Sequence, residues 1–188
     1  MNPDKMRKAS DVLKEGGVLL TATDTLWGLS CDASNEKAVE RIKEIKGRVE
    51  GQSFILLVNS DSMLERYVNE VPDVAWDIID QSVRPVTIIY PRGINLPDST
   101  FHKDGTVAIR ITDDPVLMKL IQYTKKPIVS TSANETGKPA PKKRDEIAST
   151  ILESVDYVLD LPEVKSGSKK ASSILKIGLR GEIKIIRK

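Results

Sequence analysis

Aromatic side chains are scarce in this sequence, only 4% of its 188 residues. That leaves few platforms for stacking nucleobases, the device on which single-strand binders rely. Cys31 and His102 are the sole members of their kinds. One thiol excludes an intramolecular disulfide, and the composition fits a reducing, cytoplasmic compartment. One Cys and one His cannot build a Cys/His metal centre. His102 follows Phe101 and precedes Lys103 in a loop-like stretch, so it reads as a surface residue and argues against a Ser-His-Asp set. No apolar run reaches the ~20 residues needed to span a bilayer. The first ten residues lack the apolar core of a signal peptide, so no membrane role is expected. Neither G-x-G-x-x-G nor G-x-x-x-x-G-K-[ST] occurs. Charge of one sign is missing too: 29 basic against 27 acidic residues leave a net +2, which does not demand a nucleic-acid partner.

What is present is the balance of a globular protein, 39% hydrophobic and 30% charged, at a length suited to one domain over residues 1–188. Apolar spacing predicts helices over Asp4–Glu15, Asn35–Ile45, Asp61–Val68, Val74–Gln81, Pro115–Tyr123 and Asp145–Glu153. Short apolar or alternating runs predict strands at Val18–Thr21, Leu26–Cys31, Phe54–Val58, Val86–Tyr90, Thr106–Ile111 and Ile128–Thr131. Tyr157–Leu161, Ser173–Ile177 and Ile183–Arg187 read as closing strands. Helices and strands interleave irregularly, which points to an α/β domain with an open, twisted, mixed sheet and flanking helices.

Two polar clusters carry the chemistry. Lys46-Gly47-Arg48 ends the second helix, and Ser130-Thr131-Ser132-Ala133-Asn134 follows an apolar strand. Brought together, they set cations against a cup of hydroxyls and an amide, a set suited to phosphate oxygens. Gly47 allows the chain to turn so that both cations converge. Arg41 and Lys43, earlier on the same helix, read as a solvated face that complements the helix dipole. Strand alternation puts Thr106, Ala108 and Arg110 on one side. Thr23-Asp24-Thr25 reads alone as a turn, and Trp27 as a wall or core residue. Lys142-Lys143-Arg144 reads as a solvated face within reach of RNA.

These segments, in this order, resemble the YrdC-like family, the threonylcarbamoyl-adenylate synthases of tRNA modification. The likeness runs through Thr23-Asp24-Thr25-Leu26-Trp27-Gly28-Leu29, Lys46 with Arg48, Ala108-Ile109-Arg110, Ser130, Ser132 and Asn134, Gly137-Lys138-Pro139, Ser172-Ser173-Ile174 and Arg187. It spans nearly the whole chain. It implies a fold with a large positive cavity and a nucleotidyltransferase that makes threonylcarbamoyl-AMP from L-threonine, bicarbonate and ATP. Pyrophosphate is released, Mg2+ rides on the triphosphate, and the product goes to a tRNA threonylcarbamoyltransferase complex.

By resemblance, Lys46 and Arg48 serve catalysis at the phosphates and carbamate. Gln52, Thr106, Ser132, Asn134 and Arg187 join Arg48 around ATP. Thr25, Arg110, Ser130 and Ser172 hold threonine. The chain departs from the family pattern at Val49, Gln52, Leu57, Val83, Arg84 and Ala140; Arg84 is read as a cation near the cavity mouth. A loop over Lys165–Lys170 is a candidate lid. The alternative is a binding module that holds double-stranded RNA or tRNA in the same cavity, without synthase activity.

Overall fold

The computed structural model describes residues 2–23, 26–47, 54–160 and 171–188. Asn2 caps α1 (Pro3–Lys14) by accepting from the Asp4 and Lys5 amides, with Pro3 at the first helical position, where its missing N–H costs nothing. Asn35 does the same for α2 (Glu36–Ile45) through the Ala38 amide. Asp114 caps α5 (Pro115–Thr124) by accepting from Val116 and Leu117. The remaining helices are α3 (Asp61–Leu64), α4 (Asp73–Gln81) and α6 (Ser149–Ser154).

Among the described residues, nine strands form one mixed sheet in the order β7-β1-β2-β6-β3-β5-β4-β8-β9. They are β1 (Leu19–Ala22), β2 (Trp27–Asp32), β3 (Ile55–Val58), β4 (Val86–Tyr90), β5 (Val107–Ile111), β6 (Ile128–Ser132), β7 (Tyr157–Leu159), β8 (Ser173–Ile177) and β9 (Ile183–Arg187). Pairings β1–β7, β3–β5 and β4–β8 are parallel, and the rest antiparallel. The expected mixed α/β sheet is therefore the architecture found.

Register decides which side chains face the site. Ser30, Ser130, Ile55, Ala108 and Ile89 are successive cross-strand partners, one row across the sheet. Leu56, Val129, Ile109 and Ile88 each sit one position along and so project to the opposite face. There they are buried and join α1, α2 and α5 residues such as Leu13, Ile42 and Leu120 in the core. α1, α2 and α5 thus cover one face, and the other is left to build a cavity.

Two helix expectations fail locally. The third helix stops at Leu64, because the chain beyond it pairs sideways: Asn69 donates to the Arg92 carbonyl and Ile94 to that of Tyr67. The segment expected as Asp145–Glu153 is a 3-10 turn (Arg144–Glu146) followed by α6. The Glu146 carboxylate accepts from the Lys142 and Lys143 amides and caps the start of the turn.

Candidate active site

A cavity of about 410 Å³ opens on the face of the sheet turned away from α1, α2 and α5. β3, β5 and β6 floor it with Ile55, Leu57, Ala108, Arg110, Ser130 and Ser132. Thr23, Trp27, Gly28 and Phe54 form one wall, and Ser172, Ile174, Ile186 and Arg187 the opposite one. Among the described lining residues the charged side chains are Arg110 and Arg187, with His102 beside them and no carboxylate. The arrangement is built for an anion.

Arg110 lies in β5 opposite Leu57 of β3 and is only 5% exposed. A guanidinium so placed is weakly hydrated and offers a planar fork to a carboxylate or phosphate. Ser130 sits on the same face, across Ile55 from Ala108. Gly28 pairs with Ser132. A Cβ on Gly28 would come within 3.1 Å of the Thr131 carbonyl oxygen, so glycine keeps this wall close to the β6 backbone.

On the far wall the Ser172 and Thr87 hydroxyls share a 2.8 Å hydrogen bond. Arg187 donates through Nε (3.0 Å) and Nη2 (2.8 Å) to the Ser172 carbonyl. A β-bulge in β9 makes this possible. Ile185 pairs with Leu175 and Arg187 with Ile174, so Ile186 is the extra residue. Regular pairing would have turned Arg187 to the other face. Burial lowers the Arg187 pKa from its ordinary value.

The two polar clusters do meet. Lys46 caps α2, is buried, and donates from Nζ to the carbonyls of Ser132 (2.5 Å) and Asn134 (2.6 Å). Gly47, at φ 55°, takes the left-handed turn after it. Asn134 donates from Nδ2 to the Glu135 (2.9 Å) and Lys138 (2.6 Å) carbonyls. Neither Lys46 nor Asn134 is among the residues lining the cavity.

Of the other expected site residues, Arg110, Ser130, Ser132, Ser172 and Arg187 come together around the cavity. Thr106 does not line it. Its hydroxyl and amide both donate to Asp104 (2.6 and 3.1 Å), which also accepts from Lys176. The Lys176 hydrogen bond, with those of Thr106, holds the Asp104 carboxyl far below its ordinary pKa. Thr25, Arg48, Gln52 and the candidate lid at Lys165–Lys170 lie outside the described residues.

Three readings of single residues change. His102 lines the cavity, because a tight turn in which its amide donates to the Thr106 carbonyl (2.9 Å) folds the loop back to β5. Arg84 is exposed and does not line it. Arg41 is no free solvated cation: it makes a two-pronged pair with Asp156 (2.6 and 3.1 Å) and also donates to the Ser154 carbonyl. Trp27 is buried and forms cavity wall. The lining residues Thr23, Phe54 and Ala108 went unnamed as site residues. Thr23 and Ala108 lie in segments that carry the family resemblance, whereas nothing in the sequence singled out Phe54.

Comparison with known proteins gives a consistent result. The Sua5/YciO/YrdC family, described as telomere recombination, matches residues 11–188. The chain is 36% identical over 182 residues to the putative threonylcarbamoyl-AMP synthase of Methanocaldococcus jannaschii, covering 94% of this chain and 84% of that one. It is 32% identical over 174 residues to the threonylcarbamoyl-AMP synthase of Pseudoalteromonas translucida, covering 91% of each. Among solved structures, Pyrococcus abyssi Sua5 complexed with L-threonine superposes with a TM-score of 0.82 at 26% identity. That match covers 94% of this chain but 52% of the P. abyssi protein, so this chain spans about half its length. Escherichia coli YciO, at 23% identity, shares the fold with a TM-score of 0.84 over 100% of this chain and 91% of its own.

Proposed function

This chain belongs to the YrdC/Sua5 family, and from that premise we propose that it is a nucleotidyltransferase joining L-threonine, bicarbonate and ATP into threonylcarbamoyl-AMP. The observation that carries the reading is Arg110, a nearly buried guanidinium on the floor of a cavity whose described walls hold no carboxylate. Such a group selects a carboxylate or phosphate. The kinship with threonylcarbamoyl-AMP synthases makes the threonine carboxylate its natural ligand.

The threonine amine attacks the bicarbonate carbon, and the hydroxide it expels leaves as water with the proton shed by the nitrogen. A carbamate oxygen then attacks the α-phosphorus, and the bond to the β-phosphate oxygen breaks to release pyrophosphate. The protein's part is to hold the partners in line and stabilise the accumulating negative charge. Arg110 and the Ser130 hydroxyl position threonine, with Ser172 at the opposite wall. Arg187 and Ser132 face the nucleotide. Arg48, Gln52 and Thr25 keep the roles the family resemblance gives them. Thr106 and Asn134 act on ATP through the backbone they shape.

No group of acidic, His or Cys side chains able to hold a metal occurs among the described residues. The chain's own donors here are cationic or hydroxylic, so Mg2+ fits as a companion of the triphosphate and not as a protein-held ion. It would offset charge on the departing pyrophosphate. The product is an activated carbamoyl group suited to transfer onto a tRNA adenosine by a partner enzyme. Burial of Arg110 favours synthesis over RNA binding, because an RNA site needs its cations on an outer surface.

The test is pyrophosphate release by the purified chain. It is expected only when ATP, threonine and bicarbonate are all present. Equal release without threonine would refute the synthase reading, and tight RNA binding with no release would favour the binding module.

A further inference from the structure

We infer that Lys46 is a positioning residue, an internal brace of the turn after β6, and not a ligand of the phosphates. Its ammonium is a compact head with three donors. Two of them are spent on backbone carbonyls at hydrogen-bond distance, Ser132 (2.5 Å) and Asn134 (2.6 Å). The sheet ends at these half-buried residues: the Ser132 carbonyl keeps the Asn134 amide of its own turn, and Lys46, with 2% of its surface exposed, adds a charged donor to it and to the Asn134 carbonyl from behind.

The connection runs in both directions. The Lys46 carbonyl accepts the Thr136 amide at 2.9 Å. Within the turn, the Asn134 amide donates to the Ser132 carbonyl at 2.9 Å, and its side chain donates to Glu135 and Lys138. The end of α2 and residues 132–138 are therefore one hydrogen-bonded unit. Ser132 is its cavity-lining member. A phosphate would compete for an ammonium whose charge the two carbonyl dipoles already stabilise. Keeping them fixes the Ser132 hydroxyl instead, which is worth more than a distant cation. Displacement of a reacting group by 1 Å costs about 100-fold in rate.

The role rests on the proposed synthase reaction only where turnover is measured. The experiment compares Lys46→Met and Lys46→Arg in the full chain. Arginine is a good phosphate ligand, but its broad planar head cannot replace an ammonium wedged between two carbonyls. The brace predicts that both variants lose about 100-fold in kcat/KM for ATP. It also predicts that the Asn134, Thr136 and Lys138 amides of the ligand-free protein exchange hydrogen at least about tenfold faster in both, while β3 and β5 amides do not change. A direct phosphate contact predicts the reverse: Lys46→Arg restores turnover to within about threefold, and exchange without ligand matches wild type. Either of those results overturns the brace. If both variants fail to fold, 15N spectra of the lysine ammonium groups decide in the wild-type protein. A slowly exchanging Lys46 signal unmoved by inorganic pyrophosphate is expected, and one that moves on titration contradicts it. Wild-type protein without turnover would refute the synthase reading while leaving the exchange and ammonium results interpretable.

Discussion

β6 lies inside the sheet with β2 on one edge and β3 on the other, whereas β9, across the cavity, pairs only with β8. The β6 wall has the helix-covered core beneath it, and Lys46 ties its end to α2. On β9, Ile185 is 55% exposed, and even the cavity-lining Ile186 and Arg187 stay largely open to solvent. What holds Arg187 in place is a bulge and two donations to a single carbonyl. The same cavity thus has a wall fixed by burial and a wall fixed by a few hydrogen bonds. Segments with few buried contacts open at low free energy. Under the proposed synthase reading, the fixed floor around Arg110 selects threonine, with Ser172 facing it from the far wall, and the Arg187 end of that wall adjusts to the nucleotide.

The strongest way to break that division is Arg110→Ala. A hydrogen bond to a charged group is worth about 1.5–3 kcal/mol, so threonine affinity should fall by one to two orders of magnitude. Calorimetry checks this, with circular dichroism showing that the fold remains. Gly28→Val comes next. Its added carbons would meet the Thr131 carbonyl at 3.1 Å or closer, and overpacking of this kind costs about 1–3 kcal/mol. The melting temperature should drop along with turnover, because the fixed wall cannot yield. If valine were tolerated in place of Gly28, the β2–β6 wall would be softer than its burial indicates.

Arg187→Ala should act on the nucleotide and little else. We expect a several-fold rise in the KM for ATP, as for loss of one hydrogen-bonding charge near the surface, with threonine affinity and Tm close to wild type. The smallest effect concerns the fastening of α2 to the strand beneath it. Burial alone would raise the Asp156 pKa, but the Arg41 guanidinium and the Val18 amide outweigh it and hold the carboxyl below its ordinary value. A depressed folded-state pKa stabilises above the unfolded carboxylate range near pH 4 and is lost as pH falls through the folded value. Arg41→Ala should therefore cost at most about 1 kcal/mol near neutrality, since the pair is well exposed. The deficit should shrink in acid, as thermal melts at pH 7 and pH 3 would show.

Much of the fold was legible in the sequence because apolar residues mark the strand centres, in short runs or alternating with polar ones. β4, β8 and β9 occupy the expected residues. Asp61–Val68 misled because Tyr67 and Val68 continue an apolar pattern that tertiary pairing with residues 93–94 diverts from helix. At the site, motif order revealed that Lys46 and Asn134 are neighbours. It could not reveal that both spend donors on backbone carbonyls, since a carbonyl's direction depends on the turn that presents it. His102 was misread for a similar reason: its reach into the cavity is set by a turn closing onto Thr106. Arg41 meets Asp156 across 115 positions of sequence, a distance at which local charge patterning says nothing.

The contrast between the two walls is tested most directly by titrating wild type, Arg110→Ala and Arg187→Ala with L-threonine in a calorimeter, without nucleotide. Wild type and Arg187→Ala should bind alike, while Arg110→Ala should show threonine binding weakened by at least about tenfold. Unchanged binding by Arg110→Ala, or equal weakening in both variants, would contradict the assignment of threonine to the buried floor.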